Sequence, residues 1–198
     1  TPVGVVRDGT FFQNVKDIRV LNLTLAEKID RARRMVAVVN VTTGEKSELP
    51  YDKLVIATGG VPFEPRIEGV NLNRVFRLNL PDDALAIREA TEHGNIRRAV
   101  LIGGGLIGLE TAEALVARGI QVTIVEMLDQ LLPAMLDWEV AAFLEKYLRG
   151  RGLDIRLNQK VTRLEGDGDG NVARVHPTAE VIEEQMGFIS IGIRPNFQ

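Results

Sequence analysis

Residues Arg97 to Glu126 read RRAVLIGGGLIGLETAEALVARGIQVTIVE. Ala99-Val100-Leu101-Ile102 is a short, unbroken apolar run, the pattern of a strand covered on both faces of a parallel sheet. Gly103 then permits a tight turn. Gly105 removes a side chain where backbone must approach a ligand, and Gly108 lets the following helix pack closely on the sheet. Gly104 adds freedom within the turn. Ile107, Thr111, Ala114 and Leu115 recur at helical spacing, Gly119 stops the helix, and Gln121 to Val125 forms a second strand. Glu126 closes the unit 23 residues after Gly103.

Strand, glycine turn, helix, strand and terminal acid, in that order, predict a dinucleotide-binding βαβ unit. A lone Gly-x-Gly-x-x-Gly spacing arises often by chance; the agreement of its flanks makes this one specific. The helix N-terminus presents unpaired N–H groups and a positive dipole end, which suit a pyrophosphate. The predicted cofactor contacts are Gly103, Gly104, Gly105, Leu106, Ile107 and Gly108. Glu126 would accept from a ribose 2′-hydroxyl, although an acid at a strand end is also a common solvated feature. Met127-Leu128-Asp129-Gln130 carries no Arg or Lys to meet a 2′-phosphate, so NAD(H) is expected over NADP(H).

Composition narrows the remaining classes. The chain has 198 residues, 45% of them apolar, enough for one large or two small domains with a packed core. A net charge of −3, with no basic cluster beyond Arg31-Ala32-Arg33-Arg34 and Arg149-Gly150-Arg151, argues against nucleic acid as the main partner. There is no cysteine, so a disulfide scaffold, a cysteine-ligated metal and a thiol nucleophile are excluded within this stretch. His93 and His176 are too few and too far apart to predict a metal site; His93 reads as an exposed residue favoured by a helix end. No segment approaches the length of a membrane span, and no secretory signal is visible. Cytoplasm is the default compartment. The chain opens at Thr1 without Met, which reads as a piece of a longer protein or a processed one.

Working outward, residues up to about Leu72 read as strands and turns. Ile18–Leu23 and Met35–Val41 are candidate strands, and Glu45–Leu49 returns as a hairpin arm after the Thr43-Gly44 turn. Leu54–Ala57 reads as a compact buried strand, and Gly60–Gly69 as a loop at a domain boundary. Asp82–His93 is a predicted helix with Ala84, Leu85, Ile87 and Ala90 on one side. Asp137 is a predicted N-cap for a helix through Arg149, with an apolar face of Val140, Phe143, Leu144 and Tyr147. Leu153–Leu157 is a third strand of the βαβ region. Lys160–Glu165 and Val172–His176 form a hairpin around Gly166–Asn171; that turn lacks the Glu a calcium loop would need. Phe188–Ile191 is a last strand. There is also an internal echo: Val55-Ile56-Ala57-Thr58-Gly59 followed by Pro62, and Phe188-Ile189-Ser190-Ile191-Gly192 followed by Pro195. It reads as two related units, each ending a strand beside a cofactor.

Three motifs in order, Tyr51 to Gly59 (YDKLVIATG), Gly103 to Glu110 (GGGLIGLE) and Ile191 to Asn196 (IGIRPN), resemble the FAD- and NAD(P)-dependent pyridine nucleotide–disulfide oxidoreductases. The coenzyme A-disulfide reductase and NADH oxidase-like branch is most similar, and Asn79-Leu80-Pro81-Asp82 adds a weak further match. The resemblance covers nearly the whole chain. It implies an α/β, Rossmann-like FAD/NAD(P)-binding fold with a parallel sheet plus an antiparallel β-meander. It implies a partial FAD-binding domain over residues 1–72 and a complete or nearly complete NAD(H)-binding domain over residues 73–198. It further implies that Ala57, Thr58 and Gly59 approach FAD, that Gly192 lies at the NAD site, and that Glu110 stands near the flavin–nicotinamide junction. An acid favoured by the helix dipole alone explains Glu110 equally well.

By the same resemblance, hydride passes from NADH to flavin and on to a disulfide of the coenzyme A type, to peroxide or to oxygen. The redox cysteine is expected upstream of Thr1, and the parent is expected to dimerise through a C-terminal domain. The fragment alone is expected to be inactive. Gln185 and Gly187 depart from the family, which shows an acid and a branched apolar residue there. Two alternatives stay open: a ferredoxin or rubredoxin reductase-type flavoprotein without a catalytic Cys, and a non-catalytic NAD-sensing module.

Overall fold

A computed structural model describes residues 7–196, and the chain divides into two compact units with the break after Ala57. The first unit begins with α1 (Gly9–Lys16), a helix that the strand-rich expectation for this region did not include. Asp8 caps it by accepting the Phe11 N–H at 2.9 Å, and Asp17 ends it in a left-handed conformation, returning its N–H to Phe12 O. Such caps supply partners for helix-end groups that have none within the helix. Three antiparallel strands follow as a meander: β1 (Thr24–Asp30), β2 (Met35–Asn40) and β3 (Lys46–Pro50).

Two expected strands are corrected here. Ile18–Leu23 is not a strand: Leu23 sits at φ 53°, outside the extended region, and the ladder starts at Thr24. Leu54–Ala57 is not a strand either, and Val55 is 85% exposed. An apolar run becomes a buried strand only where neighbours supply backbone partners and covering side chains. No described strand pairs with this one.

The second unit opens with β4 (Gly60–Pro62) and β5 (Val75–Phe76), followed by α2 (Pro81–His93), β6 (Arg98–Ile102), α3 (Leu106–Val116) and β7 (Gln121–Val125). Then come α4 (Trp138–Gly150), β8 (Asp154–Arg156), β9 (Arg163–Gly166), β10 (Val172–His176), β11 (Ile182–Glu183), β12 (Gly187–Ile189) and β13 (Ile193–Pro195). Five strands make a parallel sheet in the order β5-β12-β6-β7-β8. β9, β10 and β11 form a separate antiparallel meander.

The residues of β6 explain this layering. Ala99 and Leu101 join Ile87 of α2 and Ala112 and Leu115 of α3 in one buried cluster. Val100 and Ile102 point the other way, into a second cluster with Leu164, Val172, Val175 and Ile182 of the meander. Alternate side chains of a strand face opposite sides of a sheet, so a strand covered by helices on one side and a meander on the other must be apolar throughout.

The helix expected from Asp137 forms with that residue at its N-cap, but its apolar face is corrected. Ala141 is the buried residue, Leu144 and Leu148 are half-buried, and Phe143 is 73% exposed. Packing against the core through small Ala141 turns Val140, Phe143 and Tyr147 outward. In α2 only Ile87 of the expected apolar face is buried, and Leu85 is exposed.

The internal echo acquires a structural meaning different from two strand ends. Gly59 and Gly192 both take positive φ, 74° and 109°. Just beyond them β4 and β13 pair antiparallel with one another. The pairing is reciprocal: Phe63 N–H donates to Gly192 O, and Asn196 N–H donates to Gly59 O, each at 2.9 Å. The Thr58 hydroxyl also donates to Asn196 O.

Candidate functional site

The carboxyl ends of β12, β6 and β7 open onto one cleft of about 670 Å³. Its lining includes Gly103, Gly105, Glu126, Leu128, Ser190 and Gly192. Ligands of open α/β sheets bind at this edge, because helices start there and strand ends leave a crevice.

The glycines of the turn serve different ends. Gly103 is at φ 106°, and a Cβ on it would lie 2.3 Å from Ser190 O. It is required by the fold, since Ser190 N–H donates to Ile102 O at 2.8 Å and holds the two strand ends together. Gly108 would bring a Cβ to 2.7 Å from Gly103 O, so its absence of side chain lets α3 sit against the turn. Gly104 has no room beside Leu131, whose Cδ2 would be 2.6 Å from a Cβ. Gly105 is different. A Cβ there would meet nothing nearer than Ser190 O at 3.8 Å. Protein packing does not demand glycine at 105; the open space at the start of α3 does, if an anion is to reach the helix N–H groups. These residues therefore fit a dinucleotide pyrophosphate.

Glu126 is half-buried at the end of β7 and both its carboxylate oxygens are held. Oε2 accepts the Gly104 N–H at 2.6 Å, and Oε1 accepts the Leu128 N–H at 2.9 Å. These charge-assisted bonds fix the acid between the glycine turn and the loop after β7. An ionised carboxylate has acceptor sites beyond the two used, enough for ribose hydroxyls.

The structure thus brings Gly103, Gly105, Glu126 and Gly192 into one cleft, with Gly104 bonded to Glu126. Leu106, Ile107 and Gly108 line an adjoining hollow of about 270 Å³ that shares Gly105, Ser190 and Gly192 with the cleft. Glu110 lies elsewhere, exposed in a groove of about 620 Å³ between α2 and α3, alongside Arg88 and Arg118. Thr58 and Gly59 are anchored to Asn196 beside the β4–β13 pair; Ala57 ends the exposed stretch before them. Sequence reading missed Arg66 and Lys160, which also line the cleft. Lys160 was within reach, since it follows the strand expected at Leu153–Leu157, here β8, at the ligand-binding edge. Arg66 carried no signal.

Among the described residues no group of three or more His, Asp or Glu is placed to hold a metal, and no helix is long and apolar enough to cross a membrane.

A family model described as pyridine nucleotide-disulphide oxidoreductase matches residues 6–198. An NADH oxidase of Enterococcus faecalis is 34% identical over 200 residues, covering 98% of this chain and 44% of that protein. An NAD(P)H coenzyme A polysulfide/persulfide reductase of Pyrococcus horikoshii is 40% identical over 155 residues, covering 78% of this chain and 34% of its own. Among solved structures, an NAD-dependent persulfide reductase from A. fulgidus superposes with a TM-score of 0.85 at 38% identity, over 99% of this chain and 36% of that one. The chain therefore spans less than half the length of the relatives it matches.

Proposed function

The chain belongs to the pyridine nucleotide-disulphide oxidoreductase family, and on that premise we propose that it is the NADH-docking portion of an FAD-dependent oxidoreductase. The whole protein would pass hydride from NADH to flavin and on to a coenzyme A-type disulfide, peroxide or oxygen. The observation that carries this reading is the cleft in which the open face of Gly105, the N-terminus of α3 and the fixed carboxylate of Glu126 meet.

Bound NADH would supply hydride-donor chemistry; the work of this chain is to bind and orient it. The α3 N-terminus would hold the pyrophosphate, Glu126 the adenosine ribose, and Gly192 would leave backbone room along the same cleft. Glu110 and Ala57-Thr58-Gly59 are proposed to face the flavin. The described residues contain no second glycine turn of the Gly103–Gly108 type, and Leu54–Ala57 is largely exposed. They do not build a flavin cradle by themselves, and no step through the flavin is assigned to them. The division into a partial FAD domain (1–72) and an NAD domain (73–198), a cytoplasmic location and dimerisation of the parent through a further domain belong to the same proposal.

Fluorescence titration tests it. NADH should bind the chain, with NADPH weaker. Replacing the acid, E126A, should weaken NADH by about tenfold while relieving repulsion of a 2′-phosphate, which narrows the preference. Absence of NADH binding, or a wild-type preference for NADPH, would refute the reading.

A further inference from the structure

Two cations stand in the nucleotide cleft that the glycine–acid motif does not include. Lys160 follows β8, where Gln159 N–H donates to Glu126 O at 3.0 Å and Asn158 N–H donates to Leu128 O at 2.9 Å. The loop carrying Lys160 is therefore pinned along the loop after β7. Arg66 arrives from a distant stretch of chain. A parallel bridge between Glu68 and Arg163, with Leu164 N–H donating to Glu68 O at 2.8 Å, brings the segment around Arg66 alongside the one that carries Lys160 and Val161. Both side chains line the cleft with Glu126, and both residues are exposed. Neither has a carboxylate within ion-pair distance among the described residues. Glu126 is the one acid in that lining.

We propose that Arg66 and Lys160 form a phosphate-accepting wall at the adenosine end of the cleft, which admits the 2′-phosphate of NADP(H) beside Glu126 and so limits the preference for NADH. The inference rests on the dinucleotide reading above. Glu126 cannot swing away from such a phosphate without losing its bonds to Gly104 and Leu128, so it repels the group. Two cations lining the cleft with one fixed acid offset part of that repulsion, and a guanidinium offers a phosphate paired donors. The pyrophosphate has its own site at Gly105 and the start of α3, which leaves these cations without another phosphate to serve.

Calorimetric titration of the chain with NAD⁺, NADP⁺, 5′-AMP and adenosine 2′,5′-bisphosphate tests this in the wild type, R66M, K160M and the double variant. Each single change should weaken NADP⁺ and the bisphosphate by about tenfold, and leave NAD⁺ and 5′-AMP within about twofold. Equal losses for all four ligands would place the cations on a phosphate common to them and overturn the proposal. So would unchanged affinity for NADP⁺ and the bisphosphate. A wild-type chain that binds NAD⁺, with variants that fail to separate the ligands, refutes this inference alone; a wild-type chain that binds no dinucleotide refutes the proposed function with it.

Discussion

Glu184 should make the chain lose stability as pH rises through neutrality. The residue lies between β11 and β12 and is 5% exposed. One carboxyl oxygen faces the Thr123 hydroxyl at 3.4 Å, and the other has no hydrogen-bond partner. Burial pushes the carboxyl up to about 7 from an ordinary 4.5, against the opposing pull of Arg98, the Thr123 hydroxyl and Arg156. The folded chain therefore holds this proton more tightly than the unfolded chain does. Stability from the protonated carboxyl is fully present below pH 4.5 and is lost as pH rises through about 7. A rise of that size corresponds to about 3 kcal/mol between the two plateaus.

Urea unfolding of wild type and E184Q from about pH 4.5 to about pH 8 measures it. The amide cannot ionise, so every other titrating group cancels in the difference between the two curves. Relative to E184Q, wild type should weaken progressively across that window by up to about 3 kcal/mol and then level off. Parallel pH profiles for the two proteins would refute the assignment of a buried, uncompensated carboxyl at this position.

The two glycines of the turn should separate folding from binding. G103A should destabilise the chain by about 1–3 kcal/mol or more, because φ 106° and the approach of Ser190 O both exclude a side chain. G105A should keep its urea midpoint while weakening NADH by about tenfold or more, since its methyl enters ligand space rather than protein; a destabilised G105A with intact binding would reverse that division. L101A should lower stability by about 2–5 kcal/mol, because Leu101 is fully buried on the helix side of the sheet. Urea denaturation would reveal a smaller effect if that core were loosely packed.

The stretch from Ala99 to Glu126 determined a great deal without help. A run of four apolar residues, a glycine spacing and an acid are local facts, and local facts dictate β6, the turn, α3 and β7. The helix spans after Leu80 and Asp137 were legible for the same reason, as Pro, Asp and Gly punctuate helix ends through their own backbone chemistry. The faces of α4 were not. Val140 and Phe143 are as apolar as the buried core residues and Tyr147 adds an aromatic ring, so only the fit of Ala141 against the rest of the unit decides which side is covered. Leu54–Ala57 shows the same limit, since a strand needs partners that its own sequence does not contain.

The proposed dinucleotide site divides along the same line. Sequence determined that Gly103, Gly105 and Glu126 belong together, because one continuous βαβ unit carries them. The family resemblance placed Gly192 with them, and the strand before Lys160 hinted at that residue; tertiary structure alone decided that Arg66 lines the same cleft. These three residues come from the connection between β12 and β13, from a loop near the start of the second unit and from the exit of β8. Parallel pairing of β12 with β6 and of β7 with β8 brings two of them to one edge, and the bridge between Glu68 and Arg163 brings the third. Spacing along the chain encodes the contacts of a single supersecondary unit, whereas charges carried in from distant segments become visible only when the sheet is assembled.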